Sequence, residues 1–280
     1  MRVFISGDIE GCTGIVNWSK AGSPSSKHYD WPFARRMYTH DINAAIRGAK
    51  AAGAKHVVVK DSHNYCDNLL VDELEPGSEL ITGAGNSFDG MMHGIDSSFD
   101  CAMLVGYHSM AGTPNGMLDH ALVGGLHRFW LNGVEAGEIA VSAACAGAYG
   151  VPLVLVSSDQ AGCEEASAAI PEVRTYATKT SLGRFIAHLK HPSETGPGIE
   201  RAAREAATSY KDIPPYVTEG PVTMRLQFRE SHEAELAASL PQVERVDGYT
   251  VEWRGADFLE ANRLAQVVYD LSIKARVLDG

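Results

Sequence analysis

The sequence predicts an α/β fold, a mostly parallel sheet with helices on both faces, followed by a smaller α+β unit. Three observations carry this expectation. Short apolar runs at residues 3–5, 57–59, 101–105 and 153–156 alternate with longer stretches of helical periodicity. These runs are apolar without interruption, as strands covered by helices on both faces must be. After about residue 190 the texture changes, with His191-Pro192, Gly196-Pro197-Gly198 and Pro214-Pro215 punctuating a charged helical stretch. Residues 1–190 are thus expected to form the α/β unit, and residues 191–280 the smaller one.

The elements follow in order. The first run ends in the polar loop 6–14. Asp30 is placed to cap a helix that admits Pro32 in its first turn and runs to about Ala52, where Gly53 stops it. The second run ends in Asp61-Ser62-His63-Asn64, and a short helix is expected over 88–94. The third ends in Gly106-Tyr107-His108-Ser109. Asn132-Gly133, between Phe129-Trp130-Leu131 and Val134, is the favoured chemistry for a two-residue hairpin turn. A helix is expected over 138–149, a buried strand over 153–156, and a helix capped by Asp159 to about Ala169. In the smaller unit, the pattern reads as a strand (222–228), a helix (233–240), a strand (249–253) and a final helix (258–275).

A chain of 280 residues, 45% of them hydrophobic, can bury a sizeable core. Asp plus Glu (35) outnumber Lys plus Arg (24), for a formal charge of −11. Phosphate backbones and anionic membranes would repel such a chain, so neither nucleic acid nor membrane is an expected partner. The start, MRVFISGDIEG, has only a three-residue apolar run before a polar loop, so a secretory signal is not expected. Residues 139–158 carry no charge, but Gly150-Val151-Pro152 splits them into a buried helix and a buried strand. Five cysteines without CxxC spacing argue against a disulfide framework and for a reducing, cytoplasmic setting.

Potential metal ligands stand at the ends of the apolar runs. Asp8 and Glu10 follow the first, His63 the second and His108 the third. In open parallel sheets the carboxyl ends of the strands converge on one crevice. Asp8 and Glu10 alternate, so an extended chain would put them on one face. Carboxylates that close need a compensating cation. With two neutral imidazoles, the set suits zinc or manganese. Glu138 makes five ligands, more than one tetrahedral zinc needs, so a metal pair bridged by Asp8 uses them better. A nucleotide loop is disfavoured, because GDIEGCTG lacks the phosphate-binding spacings and carries acids. The segment at 22–26 has no GxSxG elbow for a serine hydrolase.

With these residues in view, the chain resembles the DppA-type D-aminopeptidases, a family of zinc peptidases from bacterial dipeptide-transport operons. The likeness rests on SGDIEG at 6–11, KDSHN at 60–64, VGYHS at 105–109, the block 116–133 containing LDHAL, and AGEIA at 136–140. It covers nearly the whole chain and thins beyond about residue 190. The resemblance implies two zinc ions per subunit on Asp8, Glu10, His63, His108 and Glu138. It implies His120 as nucleophile or acid/base, and short peptides with a free amino terminus, of D configuration, as substrates. It implies a homo-oligomer, a decamer of two pentameric rings. Another metal-dependent amidase or phosphoesterase on this scaffold, an L- or β-aminopeptidase, and a non-catalytic peptide- or metal-binding protein are the competing readings.

Overall fold

The apolar runs at the head of the chain become neighbouring strands in the computed structural model, which describes residues 1–21, 30–85, 88–122 and 126–275. β1 (Arg2–Gly7) lies between β2 (His56–Asp61) and β4 (Cys101–Val105). β3 (Glu79–Ile81) flanks β2, and β7 (Leu153–Ser158) and β8 (Arg174–Ala177) extend the other edge. All five pairings are parallel. Gly7 sits opposite both Asp61 and Val105, so the three central strands end level with one another. That shared height brings their following loops together.

Alternation along the strands sends side chains to two cores. Val3, Ile5, Val57, Val59, Met103 and Val105 pack towards α1 (Trp31–Ala51) and α4 (Pro192–Thr208). Phe4, Val58, Ala102 and Leu104 pack on the opposite face, with α2 (Glu138–Ala148) and α6 (Phe258–Ala275). Each of these side chains larger than alanine contributes about 1.5–3 kcal/mol by leaving water. α3 (Gln160–Ala169) is capped as expected, with Asp159 accepting from the Gly162 N–H at 3.1 Å.

A second, antiparallel sheet has the order β12-β13-β11-β5-β6, from β5 (Leu126–Leu131), β6 (Val134–Glu135), β11 (Val222–Phe228), β12 (Glu244–Arg245) and β13 (Thr250–Gly255). Asn132 (φ 49°) and Gly133 (φ 80°) both take positive φ, as a type I′ hairpin turn demands. α5 (Ser231–Ala237) joins α6 against this sheet. The units exchange elements across residue 190: β5 and β6 come from before it, whereas α4, after it, packs on α1. A ribbon of β9 (Lys179–Gly183) and β10 (Ile186–Leu189) stands apart from both sheets.

Some expectations change. Asp30 occupies the cap position of α1 but makes no capping bond; its carboxylate lies 3.8 Å from the Lys20 ammonium instead. The helix expected over 88–94 is a single 3₁₀ turn, Gly90–Met92. α5 starts two residues earlier than expected because Glu230 and Glu233 form a reciprocal capping box. The 22–26 segment lies outside the described residues. Among the described residues, no helix is long and apolar enough to cross a membrane.

The α1–α4 contact yields a test. In an isolated helix Gly48→Ala would stabilise by about 1 kcal/mol. Here the added Cβ would lie 2.3 Å from the Glu200 carbonyl oxygen and 2.6 Å from Ala203 Cβ. Overpacking wins, and urea denaturation should show a loss of about 1–3 kcal/mol.

Candidate metal centre

Where β1 ends, the chain turns instead of running on extended. Asp8 N–H donates to Val105 O (2.8 Å), Gly11 N–H to Gly106 O (2.7 Å), and Cys12 N–H to Ile9 O (3.0 Å). Asp8 and Glu10 therefore converge through a tight turn fastened to the end of β4, not through strand alternation. The fastening needs Gly106: its φ is +80°, and a Cβ there would lie 2.1 Å from the Asp8 carbonyl oxygen.

The loop after β2 is folded by a buried acid. Asp61 accepts from the N–H groups of Asn68 (2.6 Å) and Leu69 (2.8 Å), and the Asn68 amide donates to His63 O at 2.7 Å. This sets the His63 ring over the β1 turn. Its Nδ1 lies 3.0 Å from Asp8 Oδ1 and 3.3 Å from Glu10 Oε2. From the β4 loop, His108 Nε2 lies 3.6 Å from Asp8 Oδ2 and 3.2 Å from Glu138 Oε1. The two oxygens of Asp8 thus face different imidazoles. Glu138 enters as the first residue of α2, where the helix dipole favours a carboxylate.

The five sequence-expected ligands therefore meet at one place, all buried. His120 joins them. Its ring stacks on His108 with centroids 3.9 Å apart, and its Nε2 lies 3.8 Å from Glu138 Oε1. Trp18 packs edge-on against its other side. Donor atoms of Asp8, Glu10 and His108 fall within 4.8 Å of one another, as do those of His108, His120 and Glu138. The two sets share His108.

Burial pushes the Asp8 carboxyl up to about 7, and the Glu10 charge adds to the rise. Burial works the same way on Glu10, but the charge and hydrogen bond of His63 reverse it and hold Glu10 well below the carboxylate range. Glu138 is likewise lowered, burial being outweighed by His108. Desolvation disfavours charge on His63 and His108, yet Glu10 and Glu138 respectively hold them well above the usual imidazole range. His120 goes down, through burial and the neighbouring His108.

This donor set fits divalent metal. Glu10 Oε1 and His63 Nε2 are buried without a hydrogen-bond partner, and Glu10 Oε2 and His108 Nε2 meet only the ion-pair contacts to His63 and Glu138. Such atoms cost free energy unless something else satisfies them. His108 Nδ1 lies 2.9 Å from Ser109 O and His120 Nδ1 lies 2.9 Å from Leu118 O. Each Nδ1–H thus donates to a carbonyl, so the neutral ring turns its Nε2 lone pair towards the carboxylates, the arrangement a ligand imidazole requires.

The His120 loop is strained and braced. Leu118 (φ 53°) and Leu122 (φ 41°) flank it in the left-handed region that leucine disfavours. Asp159 Oδ2 accepts from Met117 N–H at 3.0 Å. Asp119 does not orient the imidazole: its carboxylate accepts from Gly112 N–H (2.6 Å) and from Arg184, at the tip of the β9–β10 ribbon (2.9 Å). Leu122 N–H donates to Glu138 Oε1 at 2.8 Å, which ties the loop to the centre. A cleft of about 1070 Å³ opens from this centre, with α6 along one side.

Lys179 escaped sequence reading. It is fully buried, and its ammonium donates to Glu10 O (2.6 Å) and Cys12 O (2.7 Å), while Thr178 Oγ1 donates to Gly11 O (2.6 Å). One strand start thus clamps the whole Glu10 turn. A lone lysine in a short strand reads as solvated, and nothing in its spacing signals otherwise.

Burial pulls Lys179 down to about 8, so its charge is costly. Lys179→Met removes that cost but orphans two carbonyls, and the opposing effects leave global stability little changed. Metal affinity, measured by chelator competition, should fall by about 10- to 100-fold, the usual effect of losing a group that orients a ligand.

The D-aminopeptidase family model matches residues 1–267. A D-aminopeptidase of Bacillus subtilis (strain 168) is 30% identical over 275 residues, covering 98% of each chain. Among solved structures, a zinc-dependent D-aminopeptidase, DppA from Bacillus subtilis, described as a self-compartmentalizing protease, superposes with a TM-score of 0.93. It is 29% identical over 98% of each chain. The chain belongs to the M55 peptidase family of D-aminopeptidases.

Proposed function

We propose that this chain is a zinc-dependent aminopeptidase that removes the first residue, of D configuration, from short peptides in the cytoplasm. One observation carries the reading: six carboxylate and imidazole groups gather at the level ends of three parallel strands, with several donor atoms buried and without a hydrogen-bond partner. Asp8, Glu10, His63, His108 and Glu138 would hold two zinc ions, Asp8 offering one oxygen on the side of each ligand histidine. When bound, zinc supplies Lewis acidity and brings water ionisation into the neutral range, about pH 7 for a single zinc site.

The remaining chemistry falls to the chain itself. His120 Nε2 carries a lone pair because Nδ1 is committed to Leu118 O. It can take the proton of the attacking water and return it to the leaving amine. Stacking on His108 and the edge of Trp18 fix the ring in place, so the proton path needs no rearrangement.

Assembly is part of the same proposal. The solved relative is self-compartmentalizing and aligns over 98% of each chain. We assign this chain to a homo-oligomer, a decamer of two pentameric rings, with residues 191–280 contributing contacts. Exposed Leu182, Phe185, Ile186 and Leu189 on the β9–β10 ribbon are surface features that support association. Light scattering after size-exclusion chromatography should give ten copies; a monomer would refute this part alone.

Chelation should abolish hydrolysis of a D-alanyl dipeptide and zinc should restore it; protein without stoichiometric metal and indifferent to zinc would refute the metal reading. His120→Ala should lower kcat by about 10²- to 10⁴-fold with zinc content retained. Near-full turnover by that variant would remove His120 from the mechanism.

A further inference from the structure

The cleft has a second polar wall that the metal chemistry leaves unused. α6 runs along it, with Asn262, Gln266 and Tyr269 among the lining residues. Asn262 and Tyr269 are seven residues apart and so share one helix face. Both are more than nine-tenths buried. Asn262 Oδ1 and the Tyr269 hydroxyl each meet no hydrogen-bond partner. The Asn262 Nδ2–H donates to Phe88 O at 3.0 Å, which fixes the carbonyl end of the amide as the unpartnered one.

A buried polar atom without a partner is unfavourable, and two on one helix face, both on the same cleft, call for a ligand. Their chemistries are complementary. A phenol, ionising near 10 in water, stays protonated at neutral pH and can donate. Burial raises it further. Asn262 is bonded to Phe88, next to the Asp89 that Cys145 and Tyr149 hold at the end of α2 away from Glu138. Asn262 therefore marks the far end of the cleft and Tyr269 the end towards the metal centre. The Asn262 carbonyl can only accept. Seven helical residues span about 10 Å, the length of about three residues of extended peptide.

We propose that α6 is the substrate-binding wall: the Tyr269 O–H donates to a backbone carbonyl of the peptide near the metal centre, and Asn262 Oδ1 accepts a peptide N–H farther along. This assignment rests on the aminopeptidase reading and names the groups that grip its substrate. It makes residues of the C-terminal helix contact the peptide main chain, so a tetrapeptide uses both contacts and a dipeptide only the first.

The test uses zinc-loaded, full-length protein, wild type, Tyr269→Phe and Asn262→Leu, with D-alanyl di- and tetrapeptides. Tyr269→Phe should lose about tenfold in kcat/KM on both peptides, as expected for one lost hydrogen bond. Its Tm should be unchanged or higher, because the variant discards a buried, unsatisfied hydroxyl. Asn262→Leu should lose more on the tetrapeptide than on the dipeptide. Full activity of Tyr269→Phe, or a loss accompanied by a lower Tm, would overturn the role of Tyr269. Equal losses of Asn262→Leu on both lengths would overturn that of Asn262. A wild-type protein that cleaves neither peptide would instead bring down the aminopeptidase reading, and this assignment with it.

Discussion

Three carboxylates and two imidazoles cannot be buried together, with neighbouring polar atoms 3.0–3.6 Å apart, at no cost. Two carboxylates alone, in a medium of effective dielectric near 20, repel by about 4 kcal/mol at 4 Å. The rise of Asp8 to about 7 follows first from burial and then from that repulsion by Glu10. Protonated histidines relieve it in part, since His63 and His108 are held well above their usual range by Glu10 and Glu138. A divalent cation relieves it more fully, because it leaves the imidazoles neutral and supplies the charge itself. The centre is thus built for metal, and much of the surrounding structure exists to keep these groups from moving apart.

That surrounding structure is mostly backbone held by buried side chains. Asp61 shapes the His63 loop, Lys179 and Thr178 clamp the Glu10 turn, Asp159 and Arg184 brace the His120 loop, and Gly106 lets β1 and β4 touch. None of these side chains faces the carboxylate–imidazole cluster through its own polar end. Each fixes a loop whose intrinsic conformation would wander, and the left-handed leucines beside His120 show how much local preference is overridden. Ligand placement comes from a shell of hydrogen bonds to main chain, not from the ligands themselves.

What was legible in the sequence follows from this division. Strands β1, β2, β4 and β7 announce themselves because strands covered on both faces must be continuously apolar. Asp8, His63 and His108 are visible because they come directly after such strands. The short strands β3, β8 and β12 carry no such signal: at two to four residues and partly exposed, they owe their form to pairing with longer neighbours. Asp8 and Glu10 share a site for a reason that alternation did not supply, a turn stitched to β4. Lys179 was illegible because a single lysine has no periodicity, and its burial is a property of tertiary packing alone.

The place of α6 follows from the same logic at larger scale. The β1–β2–β4 strand ends supply one side of the cleft, but loops at strand ends cannot enclose a ligand by themselves. The second sheet stacks α6 against α2, the helix that carries Glu138. A helix so placed buries its apolar residues, Ala261, Ala265 and Val268, in the core. It leaves Asn262 and Tyr269, on an adjoining stripe, facing the cleft with oxygen atoms that the fold does not satisfy. An apolar residue at either position would satisfy packing at lower cost, so the polar atoms are explained by what enters the cleft and not by stability.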